Sequence, residues 1–177
     1  MEKLDKITLG GGCFWCLEAI YNRVKGVELV RSGYSGGHIE NPTYQAVCSG
    51  ATGHAEVCEM HFNPLIISLE SLLEVFWEIH DPTTLNRQGH DVGTEYRSVI
   101  YCENEEQLAL ALQSKYKAKD NYRDEIVTEI ALKTNFYFAG ELHASFFEVN
   151  KNQPYCRFVV SPKLDEFSNK FSNYLKE

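Results

Sequence analysis

Three consecutive glycines, Gly10-Gly11-Gly12, separate the short apolar-rich run Lys6-Ile7-Thr8-Leu9 from Cys13-Phe14-Trp15-Cys16. This junction restricts the chain more than any other stretch. A run of strand-forming residues that meets three residues without side chains reads as a strand halted by a flexible turn. Beyond the turn, Phe14, Leu17, Ile20, Tyr21 and Val24 recur at helical spacing, with Glu18, Asn22 and Arg23 on the other side. The pattern predicts a helix through Lys25, stopped by Gly26. Cys13 then sits at a helix N-terminus, where the pKa of a free thiol, about 8.5, is lowered. Glycines before it leave the sulfur open to approach. A small buried hydrophobe is the competing reading of Cys13, and the triple glycine and the spacing to Cys16 favour reactivity.

The other five cysteines are Cys16, Cys48, Cys58, Cys102 and Cys156. The chain opens Met1-Glu2-Lys3-Leu4-Asp5-Lys6, without the basic start and apolar stretch of a secretory signal. No apolar run reaches the roughly eighteen residues of a membrane span. A cytoplasmic protein with six thiols is expected rather than a disulfide framework. Cys13-x-x-Cys16 is the only special spacing. The net charge of -8 offers no basic field for phosphates, which argues against nucleic acid as a partner. With 177 residues, 44% of them apolar, the chain can bury one substantial core, so a single domain over 1-177 is expected, with a monomer as the default.

Val27 to Val30 reads as a second strand, and the polar stretch Ser32 to Ala55 is longer than a mere connector needs, which marks it as a working loop. Glu56 to Phe62 is a third strand. Ser68 caps a helix carrying Leu69, Leu72, Leu73, Phe76 and Ile79 on one face, ended by Asp81-Pro82. A second polar loop, Thr83 to Glu95, leads to the strand Ser98 to Cys102. Asn104-Glu105-Glu106-Gln107 resembles a capping box for a helix through about Lys117, and Ile126 to Ala131 is a further strand. Leu164, Phe167, Phe171 and Leu175 form a late helical stripe. The order strand, helix, strand, strand, helix, strand predicts an α+β fold with a two-layer split β-α-β, ferredoxin-like core and long functional loops.

Alternation along the third strand puts Glu56, Cys58, Met60 and Phe62 on one face and Val57, Glu59 and His61 on the other. A carboxyl on that apolar face has a raised pKa and keeps its proton near neutral pH, ready to donate it. The alternative is a strand-end Glu56 that turns to solvent. Phe14 has two readings, core residue or pocket wall. Trp15 lies off the apolar stripe and would be awkwardly exposed unless it lines a site.

Gly12-Cys13-Phe14-Trp15, Gly33-Tyr34-Ser35-Gly36-Gly37, Asn41-Pro42-Thr43-Tyr44, Val47-Cys48-Ser49-Gly50 and Thr52-Gly53-His54-Ala55-Glu56 together resemble the A-type methionine sulfoxide reductases, the peptide-methionine (S)-S-oxide reductases. His80-Asp81-Pro82-Thr83, the block from Arg87 to Ser98 and Gln153-Pro154-Tyr155-Cys156 extend the likeness over residues 7 to 160. The resemblance implies that Cys13 attacks the sulfur of a methionine S-sulfoxide, in proteins or free, while Glu56 protonates the departing oxygen. It implies further that Tyr44 and Tyr96 hydrogen-bond that oxygen and that Asp91 holds water and polar groups there. Phe14 and Trp15 cradle the substrate methyl group and so select the S epimer. His54, His80 and His143 are read as scaffold residues.

By the same resemblance Cys13 becomes a sulfenic acid, condenses with a second thiol and is regenerated by thioredoxin, with no bound cofactor or metal. Two thiols compete as resolver. Cys16 lies one turn from Cys13, and Cys156 sits in a mobile C-terminal segment as the family's recycling cysteine does. Many relatives have two late cysteines, whereas here no cysteine follows Cys156. Cys48, Cys58 and Cys102 are expected to be buried spectators. The rival enzyme reading is a thioredoxin-like dithiol-disulfide oxidoreductase, since strand, C-x-x-C and helix occur in that order. It leaves the Asn41-to-Glu56 block unexplained. A zinc module lacks a second ligand pair, and a cysteine hydrolase needs a histidine base beside Cys13.

Overall fold

The computed structural model describes residues 2–177. The chain runs through β1 (Asp5–Gly10), α1 (Phe14–Tyr21), β2 (Val27–Ser35), α2 (Tyr44–Cys48), β3 (Ala55–Phe62) and α3 (Leu69–Ile79). It continues through β4 (Arg87–Gln88), β5 (Asp91–Val92), β6 (Val99–Cys102), α4 (Glu105–Ala118), β7 (Glu129–Leu132), β8 (Phe136–Phe138), α5 (Phe146–Val149) and α6 (Ser161–Lys170). Six strands form one mixed sheet in the order β7-β6-β1-β3-β2-β8, and β4 and β5 pair as a small hairpin. Only β6 and β7 run parallel; the other neighbours are antiparallel.

The fold is α+β, as the element order predicts. Taken in order of appearance, the central strands β1, β2, β3 and β6 lie side by side as β6-β1-β3-β2, with α1 and α3 as the intervening helices. The main core lies on one sheet face, where Ile7, Leu9, Cys58, Met60 and Phe62 meet Leu17, Ile20 and Tyr21 of α1 and Leu72, Leu73 and Phe76 of α3. The opposite face is covered as well: Ala55, Val57, Val99 and Tyr101 make a smaller buried cluster. Beside it Glu59 is nearly buried and is bonded to Lys133 at 3.0 Å.

Several boundaries differ from the sequence reading. α1 stops at Tyr21 rather than Lys25, because Arg23 and Val24 already bond to carbonyls three residues back, a tightening typical of helix ends. β2 extends to Ser35, sustained by β3 on one side and β8 on the other. The working loop therefore begins later, and its middle is the short helix α2. The second loop folds into the β4/β5 hairpin and a 3-10 turn over Thr94–Tyr96. Gln107 closes the start of α4 one residue early: Asn104 caps its N–H, but its own Oε1 takes the Glu103 N–H at 2.9 Å. β7 begins at Glu129, later than expected, and the late stripe is α-helical only to Lys170, with a 3-10 turn over Ser172–Tyr174 after it.

The C-terminal quarter wraps α1. Cys156–Val160 forms a five-residue π-helical turn that runs directly into α6. The last residues return to the end of α1, where Leu175 makes a β-bridge with Val24 and Lys25 N–H donates to the Tyr174 carbonyl at 2.6 Å.

Candidate active site

Cys13 is the N-cap of α1, in extended backbone with φ -66° and ψ 132°. Gly12 before it has φ +84°, a conformation L side chains rarely adopt, and its N–H bonds to the Tyr96 carbonyl at 3.1 Å. A Cβ at Gly12 would lie 2.7 Å from Gln88 Cγ, and one at Gly11 would lie 2.8 Å from His80 Cδ2. The glycines thus admit neighbours rather than leave an open approach. Both neighbours are fixed: Gln88 Oε1 accepts from Asp81 N at 2.9 Å and its Nε2 donates to Asp81 O at 3.0 Å. His80 Nδ1 donates to the Phe76 carbonyl at 2.5 Å, and Nε2 meets Ser98 Oγ at 2.8 Å.

The sulfur of Cys13 is nearly enclosed, with the residue 8% exposed. Burial pushes its thiol well up, Glu56 and Cys16 add to this, and the Trp15 N–H opposes them. The helix N-terminus therefore does not yield the resting thiolate that the sequence suggests. Desolvation wins because it penalises the anion more than one amide dipole stabilises it.

Glu56 stands near the start of β3, opposite Tyr34 of β2, and is 1% exposed. It faces inward, not to solvent. Its Oε1 accepts the Phe14 N–H at 3.2 Å, so the first turn of α1 and the acid on the sheet are tied together beside Cys13. Burial raises its pKa to about 8; the Phe14 N–H pulls it down, Asp91 and Glu95 push it up, and Cys13 pulls it down. At neutral pH most of the carboxyl keeps its proton.

Phenol groups gather around this acid. Tyr44 opens α2, whose N-cap Thr43 accepts the Ala46 N–H at 3.1 Å. Its ring lies 4.6 Å from that of His143, and burial raises its pKa, with Cys48 and Glu56 adding to the effect. Tyr96 is held by its carbonyl to Gly12; its phenol is raised by burial, then by Glu56, Asp91, Cys48 and Cys13. Asp91 of β5 accepts the Tyr155 hydroxyl at 2.6 Å. Phe14 is fully buried, 5.7 Å from Tyr34 and 5.3 Å from His143 between ring centroids.

Trp15 is half-buried and covered by the C-terminal segment. Its Nε1 donates to His143 Nδ1 at 3.2 Å, Phe146 stacks on it at 3.7 Å with planes 7° apart, and Tyr155 meets its ring edge-on at 5.8 Å. Sequence reasoning assigned no role to Phe146 or Tyr155; the nearest signal was Tyr155 beside Cys156 in a recognisable block. Cys58 and Cys102 are buried as expected, but Cys48 is exposed, because α2 lies on the surface. His54 is a scaffold residue: Nδ1 accepts the Gly37 N–H at 2.9 Å and Nε2 meets the Ile39 carbonyl at 2.7 Å.

A family model described as peptide methionine sulfoxide reductase matches residues 5–175. This chain belongs to that family. The peptide methionine sulfoxide reductase MsrA of Saccharolobus solfataricus is 51% identical over 173 residues, 98% of each chain. Among solved structures, Mxr1 from Saccharomyces cerevisiae in reduced form matches with a TM-score of 0.81 and 34% identity, covering 87% of this chain and 90% of that one. Mxr1 in complex with Trx2 matches with a TM-score of 0.57 and 27% identity, covering 80% and 85%. The reductase family thus accounts for the Asn41-to-Glu56 block that the dithiol oxidoreductase reading leaves unexplained. No helix among the described residues is long and apolar enough to cross a membrane.

Proposed function

We propose that sulfoxide reduction in this reductase is carried by Cys13 and Glu56. The supporting observation is the buried, largely protonated Glu56 carboxyl bonded to the Phe14 N–H directly after the cysteine. A sulfoxide sulfur is weakly electrophilic until its oxygen is protonated, so an acid held at the nucleophile is the needed device. Cys13 Sγ attacks the substrate sulfur, Glu56 gives its proton to the oxygen and recovers the thiol proton, and the products are methionine and a Cys13 sulfenic acid. Resting protonation of both groups suits this exchange, since no net proton is consumed.

Tyr44 and Tyr96 hydrogen-bond the sulfoxide oxygen, Asp91 orders the polar side of the pocket, and Phe14 and Trp15 receive the methyl group that distinguishes the S epimer. The clustering of Tyr96, Asp91 and Glu56 in one electrostatic neighbourhood supports these roles. Cys16 or Cys156 resolves the sulfenic acid, and thioredoxin reduces the resulting disulfide, a reading supported by the Trx2 complex of the yeast relative. No bound cofactor or metal enters the chemistry. The strand order β6-β1-β3-β2 supports the split β-α-β reading of the core. Residues 1-177 act as one catalytic domain, monomeric and cytoplasmic, with a mobile C-terminal segment; six unpaired thiols accord with a reducing compartment.

The test is a single-turnover assay on N-acetylmethionine S-sulfoxide without reductant. Cys13→Ser should form no methionine, and Glu56→Gln should slow the first step by at least about 100-fold, the usual scale of general acid catalysis. Turnover by Cys13→Ser, or a near-normal rate for Glu56→Gln, would overturn the assignment.

A further inference from the structure

Tyr34 is a buried phenol whose hydroxyl bonds to nothing among the described residues. The other two buried phenols are satisfied: Tyr21 donates to the Leu72 carbonyl at 2.9 Å and Tyr101 to Glu129 Oε2 at 3.1 Å. An enclosed hydroxyl without a bond costs stability, so its retention points to use in another state of the molecule. Thr8, the second such hydroxyl, alternates with the core residues Ile7 and Leu9 and so lies on the far face of the sheet from Cys13. Tyr34 lies at the site itself. It faces Glu56 directly across the β2–β3 pairing, so the two side chains leave the same face with Cβ atoms about 4.5–5.5 Å apart. Its ring is 5.7 Å from that of Phe14, and it shares the core cluster that contains Cys13. β8 pairs with its other edge, opposite Tyr137, so the backbone is held on both sides. Burial holds its phenol well above the usual range, and Glu56, Cys48 and Cys13 add to this in that order. The hydroxyl keeps its proton and is a fixed donor.

Resting on the Cys13 and Glu56 chemistry proposed above, we infer that the Tyr34 hydroxyl is a further donor to the oxygen that leaves the substrate, meeting it from the sheet side as it passes onto Cys13. Tyr44 and Tyr96 belong to α2 and the 3-10 turn, and they hold the oxygen while it is still bonded to the substrate sulfur. Tyr34 belongs to the sheet, beside Glu56. As the substrate S–O bond breaks and the Cys13 S–O bond forms, the oxygen carries the proton received from Glu56, and Tyr34 donates a hydrogen bond to it without giving up its own proton. The balance is unchanged: the substrate sulfur is reduced to the thioether, and Cys13 is oxidised to the sulfenic acid. A donor that finds its acceptor only along the reaction lowers the barrier without tightening the binding of substrate. The same hydroxyl is then left unbonded in the resting enzyme.

Tyr34→Phe removes the oxygen and keeps the ring. In single-turnover reduction of N-acetylmethionine S-sulfoxide over a range of concentrations, its plateau rate should be at least about tenfold lower, since losing one donor to a developing oxyanion costs about 100-fold or more. The concentration giving half the plateau should stay within about twofold, because ground-state binding is untouched. In calorimetry the variant should have a Tm equal to or above that of the unmodified chain, as an unsatisfied hydroxyl is lost. A purely structural role would give the reverse, a lower Tm with the plateau kept. A smaller fall in the plateau, a lower Tm, or a raised half-saturating concentration with the plateau unchanged would overturn the assignment. Cys13→Ser in the same assay separates the two readings. Methionine formed by Cys13→Ser would overturn the Cys13 chemistry, whereas an inactive Cys13→Ser beside a normal Tyr34→Phe would overturn the role of Tyr34 alone.

Discussion

Glu56 is 1% exposed and has a pKa of about 8, against about 4.3 for a glutamate in an unfolded chain. A carboxyl with a raised folded-state pKa binds its proton more tightly in the native state. Glu56's own contribution to stability is therefore most favourable below about pH 4, falls as pH rises to about 8, and is flat beyond. The full penalty is on the order of 5 kcal/mol. Glu56→Gln should accordingly raise Tm by several degrees at pH 9 and hardly at all at pH 4, while the same variant loses activity. Equal Tm gains at both pH values, read by calorimetry, would show that the carboxyl is not titrating as described. The first reductive step of the unmodified chain should also decline above about pH 8, as the acid is lost. The inward orientation of Glu56 was legible from simple alternation along β3. The proton affinity of Cys13 was not, because helix position is written in the sequence and burial in the assembled core is not.

At the scale of elements, α1 fastens the C-terminal segment to the site. Glu18, 4% exposed, accepts the Ser32 hydroxyl at 2.6 Å and the backbone N–H of Ser145. Ser145 has φ +54°, and it lies between His143 and Phe146, two of the residues that cover Trp15. Glu18→Ala strips these donors of their acceptor, a loss of about 1–3 kcal/mol for each buried group left unpaired. It should speed hydrogen exchange across residues 141–150 and shift Trp15 emission to the red, whereas Glu18→Gln, which keeps an acceptor oxygen, should restore both. Unchanged exchange in Glu18→Ala would refute the tether. Gly12→Ala tests the other end of the helix: with φ +84° and Gln88 Cγ 2.7 Å from the added Cβ, it should slow methionine formation at least about tenfold, since a misplacement of 1 Å can cost about a hundredfold. The strand–turn–helix junction was legible because glycine and helical periodicity are local signals. The short strand Phe136–Phe138 and helix Phe146–Val149 were not, because their partners lie about a hundred residues away in β2 and α1.

At the scale of the whole molecule, the chain's last residues bond back to residues 23–25, so the end of α1 is held from outside the catalytic face. Removing residues 172–177 should lower Tm by several degrees while leaving the single-turnover rate within about twofold of the full chain. A large loss of rate without a loss of Tm would place the terminus in the chemistry instead. Element order and class could be read in advance because each central element carries its own periodicity; the covering of Trp15 could not, since it depends on a tail folding over α1. That covering, together with the enclosure of Cys13, has a consequence for survival among oxidants. A thiol kept protonated and sheltered is a poor target for hydrogen peroxide, which reacts with thiolates, and under the proposed mechanism a ligand that brings its own oxygen to Glu56 releases the sulfur's reactivity. The enzyme should therefore be inactivated by peroxide no faster than an ordinary free cysteine is oxidised, and so remain in service under the conditions that generate its substrate.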